Sequence, residues 1–155
     1  MSPKFGFTLI EIMLIVAALA VLAGATIIAI NPGRQLADAH NGVRRADVGV
    51  LWNAAEQYAL DNHGSLPAAI PEGILADCTG SATSTEFTIC RTDACDVVLT
   101  ELLEDGKYLS EIPADPTAAT DDYSGYNIIK DTEHNDRVTV CSPGAENDEV
   151  IYLPN

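Results

Sequence analysis

Between Phe7 and Ile30 the chain reads FTLIEIMLIVAALAVLAGATIIAI, and from Ile12 to Gly33 it carries no charged residue. A helix that is apolar on every face has no polar side to turn to water, so it must be buried or lie in lipid. At 1.5 Å per residue this segment reaches roughly 36 Å, enough to cross a hydrocarbon core of about 30 Å. Lys4 precedes it and the far side is acidic. The positive-inside bias therefore keeps residues 1–6 in the cytoplasm and exports the remainder.

Two ordinary explanations compete for such a segment. A secretory signal peptide would use the A-x-A-like site at Ala23-Gly24-Ala25, and an uncleaved anchor would simply stay in the bilayer. Both leave Glu11 without a purpose. An acid inside an apolar run is unfavourable, with ionised residues at a helix centre costing about 2.5 to 3.5 kcal/mol and less toward the end, where Glu11 stands.

A third explanation gives Glu11 a role. Gly6-Phe7-Thr8-Leu9-Ile10-Glu11 resembles the G-F-T-L-I-E signature of type IV prepilins and of type II secretion pseudopilins, placed behind a short leader and ahead of the apolar run. The resemblance implies that a membrane peptidase cuts after Gly6, methylates the new Phe7 amine and leaves Glu11 as the fifth residue of the mature chain. The amine stays basic after methylation, so Glu11 gains a counter-ion, on its own helix or on a staggered neighbour. Relatives often carry a basic or polar residue before the glycine, where this chain has Phe5 and places its basic residue at Lys4.

The family implies the remaining partners: prepilin peptidase, an inner-membrane assembly platform with its motor, minor pilins, membrane lipid before assembly, and further copies of the chain in a homopolymer filament. Its location is the inner membrane as a precursor, then an extracellular pilus or a periplasmic pseudopilus. A structural pilus subunit is the leading expectation, a pseudopilin the second. A membrane-tethered binding domain or small enzyme is the reading from another class.

Downstream, Asn31-Pro32-Gly33 interrupts the helix, because Pro32 lacks an N–H and clashes one turn back. Periodicity resumes from Arg34 to about Asn62, with an apolar stripe at Leu36, Val43, Val50, Ala54 and Tyr58. Asn62-His63-Gly64 supplies a stop. Residues 65–96, rich in Ser, Thr, Gly and Pro, read as a long loop, with a short strand at 86–90 and a helix at 96–105. Three β-rich runs, 123–129, 137–141 and 150–153, close the chain as an antiparallel meander. The expected fold is α+β: a long N-terminal helix, membrane-spanning in its first half, packed by its second half against a small antiparallel sheet. Its parts are a cleaved leader (1–6), a transmembrane or filament-core helix (7–33), the second half of the stem (34–64) and a globular head (65–155). A second family-like segment, Tyr108-Leu109-Ser110-Glu111-Ile112-Pro113-Ala114-Asp115-Pro116, is similar to the Y-L-x-x-I-P-x-D-P stretch of major pseudopilins.

The chain's 155 residues hold one ordinary domain plus an appendage. Its 23 acidic against 8 basic side chains argue against a polyanionic partner, so no direct contact with nucleic acid is expected. Arg34, Arg44 and Arg45 form the one basic cluster, on the stem helix, where a surface packed in the filament is a better explanation than DNA. Four cysteines, Cys78, Cys90, Cys95 and Cys141, lie on the exported side and fit two disulfides. Zinc is the alternative, since Cys90 and Cys95 fall within the loose C-x₂₋₄-C window. Spacing does not choose among the three pairings; the expectation is Cys78 with Cys90 and Cys95 with Cys141.

Asp115, Asp121 and Asp122 share one loop and could offer calcium hard oxygen ligands, as major pseudopilins do in a comparable loop; a merely solvated acidic loop is the competing explanation. His40, His63 and His134 show no ligand spacing and read as solvated. No nucleophile with its base can be assembled, so no active site and no enzymatic activity are expected.

Overall fold

The computed structural model describes residues 6–80, 85–93 and 95–154, with the backbone alone for 28–30. Residue contacts divide the chain into two units, 1–36 and 37–155.

The first unit holds helix α1, Leu9–Ile30, and the opening of α2, Pro32–Asp61. Thr8, extended at φ −83° and ψ 151°, caps α1, and its hydroxyl accepts the Glu11 N–H at 3.3 Å. Every described side chain from Leu9 to Ile27 is exposed. The expected interruption is present, centred on Asn31, whose φ of 47° and ψ of 78° are left-handed. Asparagine tolerates that conformation. Pro32 then becomes the first residue of α2, where the missing N–H costs nothing. Asn31 serves the new helix too, its carbonyl accepting from Arg34 and Gln35 and its side chain from Arg34 N–H at 3.4 Å.

The second unit contains the rest of α2, then β1 (Glu72–Gly73), α3 (Leu75–Thr79), β2 (Thr88–Cys90), α4 (Thr100–Leu103) with a 3₁₀ turn at Glu104–Gly106, β3 (Tyr123–Asp131), β4 (Arg137–Ser142) and β5 (Ile151–Leu153). The expected stop of α2 is a turn in which His63 and Gly64 have positive φ and Gly64 N–H reaches back to the Ala59 carbonyl at 2.7 Å. The sheet is mixed. Strands β3, β4 and β5 form an antiparallel meander, β2 pairs antiparallel with β3, and β1 adds to β3 in parallel.

The pleat sends Tyr126, Ile128, Val138, Val140 and Ile151 to one side, where they share a buried cluster with Val48, Leu51, Ala54 and Ala55 of α2. A smaller cluster of Ile129, Cys78 and Cys141, with Leu75, Phe87 and Tyr152, forms on the opposite side. Of the expected α2 stripe, Ala54 is buried and Tyr58 half-buried. Leu36, Val43 and Val50, however, are 58%, 47% and 49% exposed. The buried face is rotated from the expected one and runs through Ala37, Asn41, Arg44, Val48, Leu51, Ala54 and Ala55. Two polar side chains lie on it, so a search for apolar periodicity settles on the wrong phase.

Candidate functional site

The start of α1 brings Gly6, Phe7, Thr8 and Glu11 into one short stretch. Gly6 and Phe7 precede the helix and are exposed, Phe7 at 74%. Phe7 thus lies outside the first turn, while Glu11 is its third residue, so the two are not stacked one turn apart on a helix. Thr8 was legible as a cap and was missed: Thr8-Leu9-Ile10-Glu11 is the T-x-x-E capping-box pattern, and Phe7 and Ile12 occupy the hydrophobic-staple positions. A carboxylate in the first turn is also favoured by the helix dipole. The span Leu9–Ile27, with mean hydropathy 2.5, is long and apolar enough to cross a membrane; a signal sequence near an N-terminus meets the same criterion.

In the second unit the most highly organised polar group surrounds Arg44. Its side chain is fully buried, and each of its five N–H groups has an acceptor. Nε donates to Asp115 Oδ2 at 2.7 Å and one terminal nitrogen to Asp115 Oδ1 at 3.1 Å and Thr117 Oγ1 at 2.6 Å. The other donates to Asn41 Oδ1 at 2.9 Å and Glu146 Oε2 at 2.6 Å. Asp115 also accepts the Thr117 and Ala118 amides, each at 2.8 Å. Burial pushes the Asp115 carboxyl up, and the Arg44 guanidinium and the two amides outweigh that, holding it below the ordinary range. The Asp115 hydrogen bond pushes Arg44 up against its own desolvation. Arg44, first and most strongly, and then His40 hold the Glu146 carboxyl down.

Neighbouring side chains of α2 secure the loop that carries Glu146. Asn41 both donates to the Glu146 carbonyl at 2.8 Å and accepts its N–H at 3.0 Å. His40 Nδ1 lies 2.9 Å from Glu146 Oε2, Asn147 donates to Asp38 at 2.7 Å, and Arg45 pairs with Glu149. Two glycines let the Asp115 loop approach. Gly125, at φ +83°, would place a Cβ 2.7 Å from Asp115 Cβ, and Gly144 would place one 3.3 Å from Asp115 Oδ2.

These contacts revise three expectations. Arg44 is a buried structural cation and takes no part in a basic surface cluster. Asp115, Asp121 and Asp122 do not gather: Asp115 serves Arg44, Asp122 accepts the Thr92 hydroxyl at 2.9 Å and Asp121 is exposed. Among the described residues no group of three or more His, Cys, Asp and Glu side chains is arranged to hold a metal. His40, half-buried with its Nδ1 2.9 Å from Glu146 Oε2, departs from the solvated reading, whereas His134 is exposed as expected, although its Nδ1 lies 2.9 Å from Asp131 Oδ2.

The cysteines form two disulfides, Cys78–Cys141 and Cys90–Cys95, in place of the expected pairing. The missed element α3 explains the difference. It sets Cys78 on the sheet face that Cys141 occupies, with Cα atoms 5.8 Å apart, whereas the turn after β2 brings Cys95 back to within 6.0 Å of Cys90.

Comparisons with protein-family models, with curated proteins and with solved structures returned no match.

Proposed function

We propose that the chain is a structural subunit of a type IV pilus, made as a membrane-inserted precursor, cut between Gly6 and Phe7 by prepilin peptidase, and polymerised through α1. The observation that carries this reading is the G-F-T-L-I-E sequence at residues 6–11, standing where an exposed apolar helix begins. An isolated helix with this composition needs lipid or other copies of itself around it. In the filament α1 becomes the packed interior, and the Phe7 amine of one subunit meets Glu11 of another. The second part of the stem, α2, is the element that carries the sheet-bearing head, a role suited to the shared cluster of Val48, Leu51, Ala54 and Ala55 with the β-strands.

The close alternative is a pseudopilin of a type II secretion system, favoured by the segment Tyr108 to Pro116. Here that segment supplies Asp115 to Arg44. The two readings share every step through assembly and differ in where the filament stands.

The deciding experiment is the intact mass and N-terminal sequence of the mature protein. A chain beginning at methylated Phe7 is expected. A start at Thr26 would assign a signal peptide, and retention of residues 1–6 an uncleaved anchor; either overturns the proposal.

A further inference from the structure

On the sheet face opposite α2, beside α3, a cavity of about 240 Å³ is lined by Leu75, Asp131, His134, Arg137, Thr139, Tyr152 and Pro154. The topology accounts for its chemistry. Arg137 and Asp131 are direct cross-strand partners on β4 and β3, and such a pair ordinarily neutralises itself. Here Asp131 is otherwise engaged. Its Oδ2 lies 2.9 Å from His134 Nδ1 and its Oδ1 accepts the Glu133 N–H at 3.0 Å, in a side chain that is 3% exposed.

Arg137 is left with no ion pair or side-chain hydrogen bond to any described residue. In a chain of net charge −15 an uncommitted guanidinium at a cavity edge is unexpected. The Tyr152 hydroxyl and His134 Nε2 likewise have no described partner, so three polar groups converge on one opening. The lining also includes Thr139 and Asp131, the latter already engaged by His134 and the Glu133 N–H, and is completed by Leu75, Pro154 and the Tyr152 ring, which packs beside Ile129 and the Cys78–Cys141 bridge. Arg137 also borders a second depression, but there two carboxylates, Glu56 and Asp136, disfavour an anion, against the single, already engaged carboxylate of Asp131 here.

We infer that this cavity binds a carboxylate attached to a short apolar body, the guanidinium fork of Arg137 gripping the carboxylate and the Tyr152–Leu75–Pro154 wall covering the body. A planar fork matches a carboxylate with two parallel hydrogen bonds. The volume is below that of drug-sized ligand sites and admits a small organic acid or an acidic side chain. The inference does not depend on the filament reading.

The test is a titration of the full-length, isotope-labelled chain in detergent micelles with sodium benzoate at constant ionic strength, following backbone amide shifts. Saturating shifts confined to residues 131–139 and 152–154 are expected, with a dissociation constant on the order of 1 mM for so open an ion pair. Arg137→Gln should weaken binding roughly tenfold or more, and Arg137→Lys, which keeps the charge and loses the fork, by less. Lys107→Gln, the same charge change in a remote ion pair with Asp61, should leave it unchanged. Unaltered amide dispersion elsewhere shows that a variant is folded. Failure to saturate, equal affinity in Arg137→Gln, or an equal loss in Lys107→Gln overturns the inference. Sedimentation with and without benzoate then names the source: dispersal of self-associated chains by benzoate assigns the carboxylate to a second copy, and unchanged sedimentation assigns it to a free small acid.

Discussion

Arg44 and Asp115, 71 residues apart in sequence, meet through two parallel hydrogen bonds with both side chains fully excluded from solvent. A paired buried charge contributes little over an apolar substitute, whereas a buried charge without its partner is strongly destabilising. Arg44→Ala alone should therefore cost about 3–5 kcal/mol. The double variant Arg44→Met with Asp115→Leu should recover much of that loss. Urea unfolding of the unaltered chain, Arg44→Met, Asp115→Leu and the double variant in one detergent measures the coupling. Additive losses would mean that the pair does not act as a unit.

Acid should loosen the same region. The Asp115 and Glu146 carboxyls lie below their ordinary values of 3.8 and 4.5 when folded, so between the two states' values the unfolded chain binds more protons. Their contribution is complete above the ordinary range and is lost as pH falls through the folded values. Asp115→Asn should thus be less stable at neutral pH and show a flatter acid limb, read by circular dichroism from pH 7 downward. Parallel acid limbs would remove Asp115 from the transition.

The two disulfides should differ in weight. Chain-entropy arguments give about 4 kcal/mol for a bridge closing a loop of the length between Cys78 and Cys141, and about 2 kcal/mol for the short Cys90–Cys95 loop. Cys141→Ser should lower the melting temperature more than Cys95→Ser. Non-reducing peptide mapping of the full chain should recover the 78–141 and 90–95 cross-links, and a 78–90 cross-link would restore the pairing expected from sequence.

Glu11 has two separable roles, a first-turn acid in α1 and a proposed counter-ion for the Phe7 amine. Gln satisfies a capping box nearly as well as Glu but carries no charge. If charge pairing matters, Glu11→Gln and Glu11→Leu should both be processed at Gly6 and both yield few filaments sheared from cells. Thr8→Val should instead weaken the helix start by about 1 kcal/mol while leaving the charge pair intact. Abundant filaments from processed Glu11→Gln would remove the counter-ion role.

Gly125→Ala tests the approach of the Asp115 loop to β3. The new methyl would meet Asp115 Cβ at a distance no real contact shows, on a backbone with φ +83°. The loop must then move and Arg44 lose alignment, so the variant should lose several kcal/mol, about as much as Arg44→Ala. A loss of only a few tenths, by the same urea measurement, would show that the loop adjusts without strain.

The regular elements were largely legible. The runs that became β3, β4 and β5 are rich in β-branched and aromatic residues and bounded by turn residues, and the α2 stop at Asn62-His63-Gly64 follows from glycine's tolerance of positive φ. Less legible was whatever depends on tertiary partners. The face of α2 was misjudged because Asn41 and Arg44 are buried only by virtue of Glu146 and Asp115, far away in sequence. Strand β1, of two residues, and α3, of five, are too short for any period to appear, yet α3 determines the partner of Cys78. Arg137 carried no signal, since its distinction is the diversion of Asp131 to His134.

Asn31 ends one helix and begins the next, so no hydrogen-bond ladder runs unbroken from α1 into α2. Winding and unwinding spread along a helix because each turn templates its neighbour, and a residue that supplies a fresh cap stops that spread. Asn31 is in this sense a firebreak. Whatever surrounds the apolar helix, α2 still starts from its own carbonyl and amide anchor at Asn31. On the proposed function, in which the chain changes solvent once, its folded portion is thereby insulated from the change.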